Sequence, residues 1–131
     1  MVDITQDNYV ALFLFCDHFT FDNRGKASFI GVFEQIIPEV IPATVTRFYI
    51  PVNISNPKGK ELTLQVSSEN GFDLTLGTVP VPQDVKLMRA AWEMQNLIFS
   101  KEETYTFSLI MDGEPIAIRP LPVIRAESTE Q

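Results

Sequence analysis

Cys16, Asp17 and His18 stand side by side, and they are residue types from which nucleophilic catalysis and metal binding are built. A thiolate paired with an imidazole can attack a carbonyl, and the same two side chains ligate zinc. Their spacing argues against both uses. In an extended chain successive side chains point to opposite faces, so Cys16 and His18 share one side and Asp17 points to the other. A nucleophile, a base and an orienting acid must converge from separate elements. The chain has one histidine and one cysteine, so no second partner of either type exists. A structural zinc site takes four ligands, of which this pair supplies half. The run reads as a buried small cysteine at the end of a strand, followed by an aspartate and a histidine where a hairpin begins.

Other chemistry is scarcer still. Asp17, Asp22, Asp73 and Asp112 fall in stretches that read as loops, but their spacing matches no calcium loop, and Asp22 and Asp112 are explained as turn residues. The glycines form neither a GxGxxG run nor a P-loop, and "SFIG" is not a nucleophile elbow. No catalytic, cofactor-binding or metal-ligating residue is assigned, and no cofactor is expected. Asp17 and His18 at the strand end, together with Trp92, are kept as candidates for a binding site. Aromatic residues at strand spacing fill cores more often than they line pockets.

The charge balance narrows the partners. Ten basic residues against seventeen acidic ones give a net charge of −7. The basic residues are scattered singly from Arg24 to Arg125, with no stripe to displace phosphate counterions. Nucleic acid and anionic membrane surfaces are therefore not expected partners, and the acidity serves solubility. The opening "MVDITQDNYV" lacks the basic start and apolar core of a signal peptide, and the apolar run "YVALFLFC" is too short to span a bilayer as a helix. A lone cysteine forms no internal disulfide. The expectation is a soluble cytoplasmic protein.

Those candidate residues must be held by elements, and the elements read as strands. At 131 residues, 45% of them hydrophobic and ten of them phenylalanine, the chain can bury an ordinary aromatic-rich core. The expectation is a single domain over residues 1–124 with a polar tail, "RAESTEQ", at 125–131. Residues 9–16 are apolar on both faces of a strand. "TFDNRGK" supplies turn residues Asp22, Asn23 and Gly25, and "ASFIGVFEQII" resumes an extended pattern, so the two runs form a hairpin. Pro51 within 44–54 predicts an edge strand or a bulge. "NPKG" turns the chain into "ELTLQVS", where Leu62, Leu64 and Val66 alternate with polar residues. "FDLTL" is a short strand and "GTVPVPQD" an extended surface connection. "TYTFSLIM" alternates, Asp112-Gly113 centres a tight hairpin, and "PIAIRPLPVI" returns as an edge strand marked by Pro120 and Pro122.

Residues 85–98 are ambiguous. Leu87, Ala90, Ala91, Met94, Leu97 and Ile98 fall at helical spacing, and the segment is rich in helix formers. Met88, Ala90, Trp92, Met94 and Ile98 also fit one face of a strand. Seven or eight short strands separated by Gly, Pro and Asn turns fit an all-β, two-sheet antiparallel β-sandwich, in which a lone helix would be out of place. The segment is therefore predicted to be a strand, pairing with 104–111 through the turn "SKEE".

Two regions carry a resemblance. "FCDHFTFDNRGKASFIGVFEQIIPEVIP" and "NLIFSKEETYTFSLIMDGEPIAIRPLPV" resemble the two halves of a bacterial family of unknown function. Its motifs are a strand ending in an acidic residue, a Gly-Lys turn, an Ile/Leu-Gly-Val/Ile-Phe strand before a proline, and later an Asn-containing strand, a turn, Tyr-x-Phe, Asp-Gly and a closing strand. "KEET" departs from the pattern, standing where such folds put a glycine before the tyrosine. The resemblance implies an immunoglobulin-like sandwich, supports a strand at 86–99, and casts Tyr105 as a corner tyrosine bonded to nearby backbone. It implies no catalytic residue.

The function expected from these observations is a non-catalytic β-sandwich module that binds a protein partner or forms a homo-oligomer. The alternatives are a metal- or small-molecule-dependent enzyme using the Asp17–His18 loop end, and a structural subunit of a larger assembly.

Overall fold

The computed structural model describes residues 6–22 and 24–127, and all regular structure within them is β. In chain order the strands are β1 (Tyr9–Phe13), β2 (His18–Phe21), β3 (Ala27–Ile30), β4 (Ala43–Ser55), β5 (Glu61–Ser67), β6 (Asp73–Pro80), β7 (Leu87–Phe99), β8 (Glu103–Met111) and β9 (Glu114–Val123). A three-stranded antiparallel sheet runs β1-β4-β7, a four-stranded one runs β6-β5-β8-β9, and β2 pairs with β3 alone. The all-β expectation holds, with more strands than the seven or eight anticipated.

The two larger sheets bury one shared core. Period-2 patterning puts Phe48, Ile50, Val52 and Ile54 of β4 on the same buried cluster as Leu62, Leu64 and Val66 of β5 and Phe107 and Leu109 of β8. Each such side chain contributes about 1.5–3 kcal/mol by leaving water. Phe15 joins the layers, its ring 4.9 Å from Phe107 edge-on and 6.3 Å from Phe48. Tyr105 is fully buried and behaves as the resemblance implied: its hydroxyl donates to the Lys101 carbonyl at 3.2 Å and accepts from the Lys101 amide at 3.4 Å.

Residues 87–99 are a strand despite their helix formers, because Met88, Trp92 and Met94 all turn into the core. Packing overrides propensity here. Their partner differs from the one expected: β7 pairs with β4, from Ala43 opposite Phe99 to Ser55 opposite Leu87, and β8 lies in the other sheet. "SKEE" is thus a crossing between layers. Inward alternation changes phase on both strands near Thr46 and Asn96, where Asn96 takes a left-handed φ of 54°.

Pro51 is on the middle strand, not at an edge. Tyr49 exchanges both backbone bonds with Cys16, so residues of that parity on β4 turn their amides toward the N-terminal segment. Pro51 meets that segment where β1 has ended, and its carbonyl accepts from Leu14 at 3.4 Å. The missing N–H falls in a gap in the ladder, which is how an interior strand tolerates it.

Residues 9–16 are not one strand. β1 stops at Phe13, Phe15 bridges Phe33, and Cys16 bridges Tyr49. The hairpin is formed instead by β2 and β3, with His18 opposite Ile30. Its turn is held by the Asp22 carboxylate, which accepts from the amides of Arg24 and Lys26, each at 2.8 Å. Asn23 lies outside the described residues. "GTVPVPQD" is not wholly a connection, since β6 runs through Gly77 to Pro80 as an edge strand. Asp112 and Gly113 form the expected two-residue turn, with φ of 49° and 84°. Ile124, and Ala126 in the tail, donate to the carbonyls of Ile36 and Pro38, while 128–131 lie outside the described residues.

Candidate interaction surface

The chain's three candidate residues fall in two places. Trp92 projects from β7 into the core, 6% exposed, against Gly77 of β6. Its indole N–H has no hydrogen-bond partner among the described residues. Asp17 and His18 are exposed and lie where the chain leaves the three-stranded sheet for the β2–β3 hairpin. The Asp17 amide is shared between the carbonyls of Ile30 and Gly31. The His18 ring stands edge-on to Tyr49, with centroids 6.4 Å apart. The structure does not bring Trp92 together with the other two.

Cys16 and His18 both meet Tyr49, Cys16 through paired backbone bonds of 3.0 and 2.8 Å. Cys16 is fully buried yet stands apart from the cluster that fills the core. Burial pushes its thiol above the ordinary value, which leaves it a poor nucleophile. Among the described residues no group of three His, Cys, Asp or Glu side chains is placed to hold a metal ion.

Tyr49 organises the outer face of the three-stranded sheet. Phe19 packs on it at 5.6 Å, and the Tyr49 and Gln95 side chains bond the Glu93 carboxylate opposite. Those bonds, Tyr49's first, hold the Glu93 carboxyl below the usual range. Further along, Arg89 reaches over the Phe21 ring, 4.9 Å to its centroid, and donates to the Gly25 carbonyl at 2.9 Å. The hairpin is thereby pinned across the sheet at Tyr49 and at Arg89.

The sheet margins differ sharply. β1 is short and carries an irregularity between Val10 and Leu12. β6 carries one opposite Leu64 and Gln65 and ends in Pro80. β9 carries Pro120 and Pro122, and Ile36 donates to the Pro122 carbonyl at 2.9 Å, covering part of that margin. These are the devices by which proteins blunt a sheet edge. Between Leu87 and Gln95, β7 has no proline, no irregularity and, among the described residues, no backbone cover; its only edge charges are Arg89 and Glu93. Glu93 faces Tyr49 in a pair whose backbone groups point apart, so Leu87, Arg89, Ala91, Glu93 and Gln95 direct their N–H and C=O groups outward. No ladder partner accepts them among the described residues. Sequence reading assigned edge character to Pro51, Pro120 and Pro122, rightly for the two prolines of β9 and wrongly for Pro51, and so missed this edge. The absence of proline throughout 85–99 was the signal available.

A second exposed feature runs from the end of β3, where Ile30, Val32, Ile37 and Val40 are each more than half exposed. An open depression lined by Ser67, Ser68, Asn70 and Glu103 offers hydroxyls and a carboxylate.

No helix among the described residues is long and apolar enough to cross a membrane. No curated protein matches the chain. Among solved structures, the sensor domain of the anti-sigma factor RsgI4 from Pseudobacteroides cellulosolvens is similar with a TM-score of 0.47 and 16% sequence identity, over 74% of this chain and 93% of that one. A family model matches residues 11–124, a span that includes the Cys16–Phe33 region, β7 and the closing hairpin. The resemblance read from the two sequence motifs is thereby borne out, and the chain belongs to a family of unknown function, DUF6941.

Proposed function

We propose that the protein is a non-catalytic interaction module that binds a polypeptide strand at the open edge of β7. One observation carries this reading: among the described residues the outward backbone groups from Leu87 to Gln95 lack a ladder partner, while the other three margins of the two larger sheets are interrupted, proline-bearing or covered. Strand addition to such an edge obtains affinity from main-chain hydrogen bonds and selectivity from alternate side chains. The alternative, metal- or small-molecule chemistry at Asp17–His18, has less support. The Asp17 carboxylate packs on Gly31 and the His18 ring on Tyr49, so the two side chains have different neighbours.

Ala91→Pro tests the reading. The Ala91 amide points away from β4, so proline there removes one outward donor and leaves the β4–β7 ladder intact. Any polypeptide that binds the purified protein, whether a second copy or a partner purified after capture, is expected to lose binding to this variant while its thermal midpoint stays within a few degrees. Unchanged binding to a folded Ala91→Pro variant refutes the reading.

A further inference from the structure

Resting on that reading, we propose that the strand bound at β7 is the β7 of a second copy, antiparallel, with Ala91 opposite Ala91 across a two-fold axis. Two three-stranded sheets would then join into one of six strands.

Charge and overlap select the register, and parity names the residues that bond. Only residues with outward backbone groups can form the hydrogen-bonded pairs of a new antiparallel ladder, which restricts those positions to Leu87, Arg89, Ala91, Glu93 and Gln95. Centring the pairing on Arg89 or Glu93 places like charges in direct opposition, which is unfavourable. Centring it on Ala91 places Arg89 of each copy opposite Glu93 of the other, twice per dimer, and Leu87 opposite Gln95. On the inner face Met88 meets Met94 and Ala90 meets Trp92. The residue on the axis is the small one, so the backbones can approach closely.

The extent of the edge agrees with the same centre. Asn96, with its left-handed φ of 54°, ends the regular run on one side. At the other, the strand begins only at Leu87, just after Asp84 with its left-handed φ of 58°. The interval left between them, Leu87 to Gln95, has Ala91 at its midpoint, so this register overlaps the whole interval. Arg89 keeps donors to spare: one Nη2 bond goes to Gly25, and a guanidinium carries five N–H groups. The net charge of −7 on each copy opposes association at long range, but 0.15 M salt screens it beyond about 8 Å.

Sedimentation equilibrium at 0.15 M salt on the wild type, Arg89→Glu, Glu93→Arg and the double variant tests the proposal. The wild type is expected to dimerise. Each single variant opposes like charges at both pairs and is expected to raise the dissociation constant about tenfold or more. The double variant restores the pairs with signs exchanged and is expected to return to within a few-fold of wild type, although its bond from Arg89 to Gly25 is lost. Register is read separately by oxidation: Ala91→Cys should cross-link to its own copy, because hydrogen-bonded pairs stand about 5.5 Å apart. Gln95→Cys should not, since its copy lies roughly 27 Å along the strand.

A wild type that stays monomeric at its highest soluble concentration overturns the second-copy proposal and leaves the β7 edge open to a different strand. Cross-linking through Gln95→Cys, or a double variant no better than the singles, overturns the register. A folded Ala91→Pro variant that dimerises as the wild type does removes the edge reading as well.

Discussion

The Asp17 carboxylate occupies the space into which a side chain on Gly31 would project, and Gly31 sits at a left-handed φ of 68°. These two residues close the hairpin where it leaves the three-stranded sheet. Glycine is required there twice over, by backbone conformation and by room. Gly31→Ala should cost about 1–2 kcal/mol from the backbone alone, with a further penalty for moving Asp17. In an Asp17→Ala background the further penalty should shrink, giving a non-additive double-mutant cycle in urea denaturation. Additive costs would place the strain elsewhere.

Tyr105→Phe should remove both bonds to Lys101 and lower stability by about 1 kcal/mol, with little change of fold. Burial raises the Tyr105 phenol above its ordinary value. A raised folded value means that its contribution is fully present below the unfolded pKa, about 10, and is lost as pH rises through the folded value. The wild type should therefore lose stability in that alkaline window, and Tyr105→Phe should lose less there. Chemical denaturation between pH 8 and 11 would measure both slopes.

Cys16 should resist modification while the chain is folded. The side chain is fully buried and its thiol is pushed up by desolvation, so the thiolate is scarce and enclosed. Iodoacetamide at pH 8 should leave the native protein unlabelled over hours and label it fully in urea. Rapid native labelling would mean that the hairpin lifts from the sheet readily.

Glu93 should titrate below an ordinary glutamate, and Tyr49→Phe should move it back up, because the Tyr49 hydroxyl is the foremost of its stabilising bonds. With its folded value depressed, the Glu93 contribution is present above the unfolded pKa, about 4.3, and is lost as pH falls through the folded value. Side-chain carboxyl NMR on the wild type and on Tyr49→Phe reads the shift directly.

Local chemistry was legible in the sequence. The alternation of Leu62, Leu64 and Val66, the Asp112-Gly113 turn and the Asp22 turn all follow from side-chain period and turn geometry, and each is found. The strand at 87–99 was legible once its neighbours were weighed. Pairing was not. Whether β7 joins β4 or β8 depends on which sheet must receive Met88, Trp92 and Met94, and no short-range signal encodes that. Pro51 misled for the same reason: proline forbids a ladder bond on one side, and only the point where β1 ends shows that this side has a gap. At the candidate surface, the residue types were visible but their grouping was not, because Cys16 and His18 come from one run, Tyr49 from β4 and Glu93 from β7.

The close approach of Gly77 to the Trp92 indole gives the protein an optical property. Trp92 is its single tryptophan, and a Cβ at Gly77 would come within 3.0 Å of the indole nitrogen. With that nitrogen buried and without a partner among the described residues, little solvent can relax the excited ring, so native emission should lie toward the blue. β6 and β7 are the margins of opposite sheets, and any parting of the two layers on this side admits water to the ring first. Fluorescence of the unmodified protein therefore gauges whether the sandwich is shut along its β6–β7 seam, independently of the rest of the fold.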